Sequence, residues 1–292
     1  MEGRPPDLRL ASATRDTIPA MTITAERDIE LAAAAAEAVV EVHRRLVENL
    51  RAGLTLAEID AEVGAHLADL GARSAFLDYR ARGHPPFPSH SCLSVNDCVV
   101  HGTHDMTDRP LAAGDLLSID IGVVLEGWIG DAAWTFAIEH ATDEALAIMR
   151  AGRDSLEAGV ATLGPGEPLI HWARAVQGVA EHERRFHLVR GLGGHGYGRE
   201  LHGPPFVSNT MPDHAAEWPD AWTRLEPGTL LAVEPMLSAG TPEIRSEGRA
   251  WPIYTADGSL SVHYEADVLV TSEGPRNLTA GLHELPEIVG RR

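Results

Sequence analysis

The sequence predicts one α+β domain, internally duplicated, in which pairs of helices lead into runs of sheet rather than alternating with single strands. Three observations carry this reading. The order helix, helix, sheet occurs twice along the chain. "GLTLAEIDAEV" at 53 and "GPGEPLIHWAR" at 164 occupy matching places, each opening the second helix of its half. Between them, from 76 to 138, helical periodicity gives way to short β-branched runs with turn signals.

Residues 1–20 are polar, contain three prolines and show no period. They read as a disordered tail, or as an upstream start with Met21 the natural one. Thr24 is the expected N-cap of a helix from about 25 to 52 that ends at Gly53. "TLAE", Thr55 to Glu58, has the form of a capping box opening a second helix that runs to Gly71. The second half repeats the pattern with a helix at 143–158, a Gly-Pro-Gly break at 164–166, a helix at 168–184 and strands from 186 onward. We take 21–285 as a single domain and 286–292 as a C-terminal tail.

Composition limits the function classes. With 24 basic against 43 acidic residues the formal charge is -19, which repels nucleic acid and anionic membranes and favours cationic ligands such as a free amino terminus. The alanine-rich "LAAAAAEAVVEV" at 31–42 carries glutamates, so neither it nor the polar opening reads as a membrane span or signal peptide. Cys92 and Cys98 lie too far apart along one extended segment to bond, which suits a reducing compartment, the cytoplasm by default.

Two aspartates share one hairpin. In "SIDIGVVLEGWIGDAAWTF" the turn centre is Glu126-Gly127, so Leu125 faces Trp128 and Gly122 faces Asp131. Asp120 and Asp131 are then diagonal neighbours on one face, roughly 7 Å apart at the backbone. Like charges among Ile119, Ile121 and Ile129 are unfavourable unless a cation or a shared proton compensates, and a metal is the simplest cation. Two glutamates follow in comparable settings. Glu234 sits in "LLAVEPM", before a proline that ends an apolar strand. Glu265 sits in "SVHYEADVLV", after an Asp257-Gly258 turn that makes 251–270 a second expected hairpin.

"GGHGYGRELHGPP", Gly193 to Pro205, combines glycines with His195 and His202. A phosphate loop would need G-x-G-x-x-G or G-x-x-x-x-G-K-[ST] before a helix; here the glycines run G-x-G-x-G and "LHGPP" blocks a helix. Gly194 and Gly196 are read as letting backbone pass close to a ligand, and His202 as lying in an extended segment. "VVHG" places His101 at the end of an apolar run. His84, His90, His104 and His140 read as ordinary surface or core histidines.

"VVHG", "SIDIG…GD", "GGHGYGRELHGPP", "VEPM" and "HYEADVLVT", in this order and spacing over about 21–280, resemble the methionine aminopeptidases of the pita-bread metallopeptidases. The resemblance implies a pita-bread fold, with helices outside a curved antiparallel sheet. It implies two divalent metal ions, held by Asp120, Asp131, His195, Glu234 and Glu265, with Asp131 and Glu265 bridging. His101 and His202 would line the cleft and contact the scissile peptide, and Glu234 would accept a proton. Phe87, Cys92, Leu201 and Trp251 would form the methionine pocket. The sequence departs from the family's usual pattern at Gly203, where an acid is common, and at Ala266-Asp267, where His-Thr is common.

The implied reaction is hydrolysis of the first peptide bond of a polypeptide, releasing N-terminal methionine before a small residue. One imidazole and four carboxylates are an oxygen-rich set that suits Mn, Fe or Co. Polypeptide N-termini are the expected partners, with transient ribosome proximity, no nucleic acid, no membrane and a monomeric state. Two other readings stay open: an Xaa-Pro aminopeptidase or dipeptidase of the same fold, and a non-catalytic pita-bread binding protein.

Overall fold

The computed structural model describes residues 22–291; the expectations for 1–20 and Met21 lie outside that range. The first helix, α1, spans Glu26–Asn49. Its N-cap is Ala25, which offers no side-chain cap, rather than Thr24; acidic Glu26 and Asp28 complement the positive end of the helix instead. The alanine run has a packing purpose. Ala32, Ala35 and Ala36 are fully buried, and a side chain at Gly130 would meet the Ala35 carbonyl at 2.4 Å. Small residues on both partners thus let the helix lie directly on the sheet. No helix among the described residues is long and apolar enough to cross a membrane.

The second helix, α2, spans Leu56–Asp69 and opens with the expected capping box between Thr55 and Glu58. Cys92–Val95 and Cys98–Val100 form two short strands rather than one, parted by a turn at Asn96, whose φ is positive. Both cysteines are free and buried. The long hairpin Leu116–Leu125 and Trp128–Ile138 has the expected register, with Leu125 opposite Trp128 and Gly122 opposite Asp131. Glu126 and Gly127 at its tip both have positive φ, the conformation a two-residue hairpin turn requires.

The second half repeats the helix pair. Helix α3 spans Asp143–Val160, and α4 spans Ile170–Gln177 before continuing as a π-helix over Gly178–Glu183. The expected single helix 168–184 is therefore two helical types in series. Pro168 lies before α4, bridged to Arg224. Within the expected C-terminal tail, Ile288 and Val289 pair in parallel with Ala137 and Ile138 on the hairpin.

The expected 251–270 hairpin does not form. Ile253–Thr255 pairs with Cys98–Val100 and with Ile244–Ser246, whereas Ser261–His263 pairs with Met236–Ser238. The Asp257-Gly258 turn is present, but the strands it joins enter different sheets. Ser261 is held by the carbonyls of Asn96 and Cys98 through its hydroxyl.

Ala266–Thr271 lies in a five-stranded sheet beside Leu230–Val233, which pairs in turn with Gly193–Gly196. The segment Met236–Ser238 with Ser261–His263 belongs to another sheet. Residues 234–235 and 264–265 are thus the points where a strand pair passes from one sheet to the next.

Candidate metal centre

The hairpin supplies the first two carboxylates. Asp120 stands opposite Cys92 on one side and Ala133 on the other, and both aspartates are buried. Asp120 Oδ1 and Asp131 Oδ1 have no hydrogen-bond partner. Burial, with the neighbouring carboxylates, pushes Asp120 up to about 7 and Asp131 well above the carboxylate range. Orphaned buried carboxylate oxygens are costly, and a cation satisfies them directly.

The two glutamates come from the sheet crossings. Glu234 and Pro235 separate Leu230–Val233 from Met236–Ser238. Tyr264 and Glu265 separate Ser261–His263 from Ala266–Thr271. A lone strand glutamate would ordinarily face solvent, but Glu265 is almost fully buried and hydrogen-bonds through its backbone N–H to the Ala133 carbonyl of the hairpin. Burial raises both glutamates, and Glu265 is raised further by Asp131 and Glu234.

His195 lies within the strand Gly193–Gly196. Its Nδ1 is 3.2 Å from the Gly196 carbonyl, so Nδ1–H donates there and Nε2 keeps its lone pair. Nε2 points to Asp131 Oδ2 at 3.8 Å and Glu234 Oε1 at 3.9 Å. Desolvation, then the nearby His202, pulls its pKa down to about 3, keeping the ring neutral and able to ligate. The flanking glycines serve neighbouring backbone rather than a ligand. A side chain at Gly194 would meet the Ala232 carbonyl at 2.2 Å, and one at Gly196 the Pro204 carbonyl at 2.0 Å.

Donor atoms converge in two groups, each within 4.8 Å: Asp131, His195 and Glu265, and Glu234, His263 and Glu265. Glu265 belongs to both. Asp120 is in neither group but lines the same cavity of about 750 Å³. Hard oxygens with imidazole nitrogen are the donor set of a transition-series divalent cation, and the residues present fit such an ion.

His101 and His202 occupy the cavity wall. His101 has a positive φ of 58°, and its ring lies 6.0 Å from Trp251. Burial pulls its pKa to about 3 and that of His202 to about 4. His202 lies in a bend rather than an extended run. Its Nδ1 is 2.8 Å from the Tyr79 hydroxyl, and its ring centre is 4.4 Å from that of His195. Phe87, Cys92, Leu201 and Trp251 do come together, in one apolar cluster that also holds Phe76. Phe87 packs edge-on against Trp251 at 5.2 Å and against Phe76 at 6.2 Å.

Four residues of this region were not legible as such. Tyr79 and Phe76 lie in a loop with no period to mark them. His84, expected to be an ordinary histidine, has its ring 4.7 Å from Trp251. His263 precedes Glu265 by two residues, a spacing that puts both on one strand face. At the departure from the family pattern, Ala266 is buried, and Asp267 Oδ2 accepts the Asp131 N–H at 2.8 Å.

The model of metallopeptidase family M24 matches residues 30–272. Methionine aminopeptidase 1 of Mycobacterium tuberculosis is 40% identical over 256 residues, 86% of this chain and 92% of that relative. The methionine aminopeptidase of Aquifex aeolicus is 34% identical over 89% of this chain and 99% of its own. Among solved structures, the methionine aminopeptidase of Rickettsia prowazekii superposes with a TM-score of 0.82 at 27% identity, covering 89% of this chain and all of that one. The X-Pro aminopeptidase of Thermotoga maritima shares the fold, with a TM-score of 0.69 at 20% identity, and is covered over 64% of its length.

Proposed function

The chain belongs to metallopeptidase family M24, and from that premise we propose that it is a metal-dependent aminopeptidase releasing methionine from polypeptide N-termini. The fold is the pita-bread α+β fold of its structural neighbours. The observation that carries the reading is the convergence of buried Asp131, His195 and Glu265 on one point of the cavity, with unpartnered carboxylate oxygens beside it.

Asp120, Asp131, His195, Glu234 and Glu265 would hold two divalent cations, with Mn, Fe or Co suited to the set. Glu265 belongs to both donor groups and Asp131 to one. When bound, the cations acidify water at neutral pH and polarise a carbonyl oxygen.

The chain's own groups supply the rest. Glu234, raised in pKa by burial, accepts a proton from the attacking water. His202, kept neutral, donates a hydrogen bond to the oxygen of the scissile carbonyl as charge develops there. His101 contacts the scissile amide. Phe87, Cys92, Leu201 and Trp251 receive the unbranched thioether side chain, an apolar fit with sulfur and aromatic contacts.

His195→Ala and Asp131→Asn are expected to abolish methionine release from a Met-Ala-Ser peptide with metal supplied. Retained hydrolysis in either variant would overturn the assignment. Cleavage of an Ala-Pro peptide in preference to Met-Ala-Ser would instead favour the Xaa-Pro reading.

A further inference from the structure

His263 is an imidazole of the cavity wall that the resemblance assigns no role. It is 2% exposed, and its Nε2 has no hydrogen-bond partner. That atom lies 3.2 Å from Glu234 Oε2 and 3.9 Å from Glu265 Oε2. At 3.2 Å it is close enough to Glu234 for a hydrogen bond but off the line of one.

Its backbone is fixed from both sides. The His263 N–H lies between the hydroxyls of Thr135, at 3.1 Å, and Ser118, at 3.3 Å, and the Thr135 hydroxyl donates to the His263 carbonyl at 2.9 Å. The strand pairing sets His263 opposite Met236. The ring is therefore held against the two glutamates by the hairpin of the first half and the strand of the second.

Nε2 is a buried ring nitrogen without a hydrogen-bond partner, set beside two crowded carboxylates, and a cation among them would satisfy all three groups at once. These are the atoms of the donor group Glu234, His263 and Glu265, which lie within 4.8 Å of one another.

We propose that His263 is a second nitrogen ligand of the centre, joining Glu234 and Glu265 around a transition-series divalent cation. The proposal rests on reading the site as a metal centre. A second imidazole moves the donor set further from all-oxygen ligation and favours Fe and Co over Mg and Ca.

The test uses the full chain with histidines labelled by 15N and loaded with Co(II). Ligating imidazoles are counted by their paramagnetically shifted N–H resonances, and Co(II) affinity is measured by calorimetry. Two shifted imidazole resonances are expected. His263→Gln should remove one and weaken Co(II) binding roughly tenfold or more, while His195→Ala removes the other. A single resonance in the wild type, lost only in His195→Ala, overturns the role of His263 and leaves the metal centre standing. Absence of Co(II) uptake overturns both. The wild-type count decides the question even if His263→Gln fails to fold.

Discussion

Glu234 stands opposite Glu265 in an antiparallel register that stays unbroken while the strand pair changes sheets. Met236 pairs with His263 on one side of the crossing and Val233 with Ala266 on the other, so the same register carries through the two unpaired corners. The corners free both glutamates from the ladder without displacing them relative to each other. Two carboxylates are thereby brought face to face at a depth where burial raises the pKa of both.

That crowding sets the response to pH and chelators. The folded-state pKa values of Asp120, Asp131, Glu234 and Glu265 are raised by burial. Between their unfolded values and these raised ones, the metal-free folded chain binds more protons than the unfolded one, so its stability falls as pH rises through that window. For Asp120 the window runs from 3.8 to about 7. Metal binding competes with the same protons and strengthens as pH rises. Chelation is therefore expected to lower Tm more at pH 7.5 than at pH 5. Thermal scans with and without chelator check this, and an equal drop at both values would contradict it.

The glycine pair around His195 separates packing from chemistry. Gly194→Ala would drive a methyl into the Ala232 carbonyl, a backbone atom paired within the sheet, and should cost about 3 kcal/mol. At Gly203 an added methyl would meet nothing closer than 3.4 Å. Gly203→Ala should therefore stay within about 0.5 kcal/mol of the wild type. Denaturant unfolding of the two variants measures the difference.

Tyr79 should act through His202. A phenol donating to Nδ1 leaves the ring's proton on Nε2, the nitrogen available to a substrate oxygen. Tyr79→Phe removes that bias and is expected to lower kcat/KM about tenfold, or about 1.4 kcal/mol, with metal affinity unchanged. Peptide kinetics beside a metal titration distinguish this from general damage to the site.

What the sequence made legible was local. The capping box at Thr55 and Glu58 and the register about Glu126-Gly127 depend on residues a few positions apart, and both appear as expected. The Asp257-Gly258 turn was equally local, but the destinations of its strands were decided by distant partners, Val100 and Met236. Gly194 was read as making room for a ligand because nothing nearby in sequence announces the Ala232 carbonyl that excludes a side chain there. The four candidate carboxylates could be picked out because acids in apolar strands are conspicuous, while their roles came only from the family resemblance. His263 escaped because a histidine in a strand is unremarkable until Glu234 is seen beside it.

The hydrogen bond from the Asp131 N–H to Asp267 spans 136 positions of the chain. During synthesis, the hairpin bearing Asp120 and Asp131 emerges long before the strand bearing Glu265 and Asp267, and a chain grows from its amino end at a finite pace. For that interval the two aspartates have no counterpart. The proposed cation-binding set is thus complete only after Glu265 has been made, so the hairpin must fold first with its two aspartates unmatched.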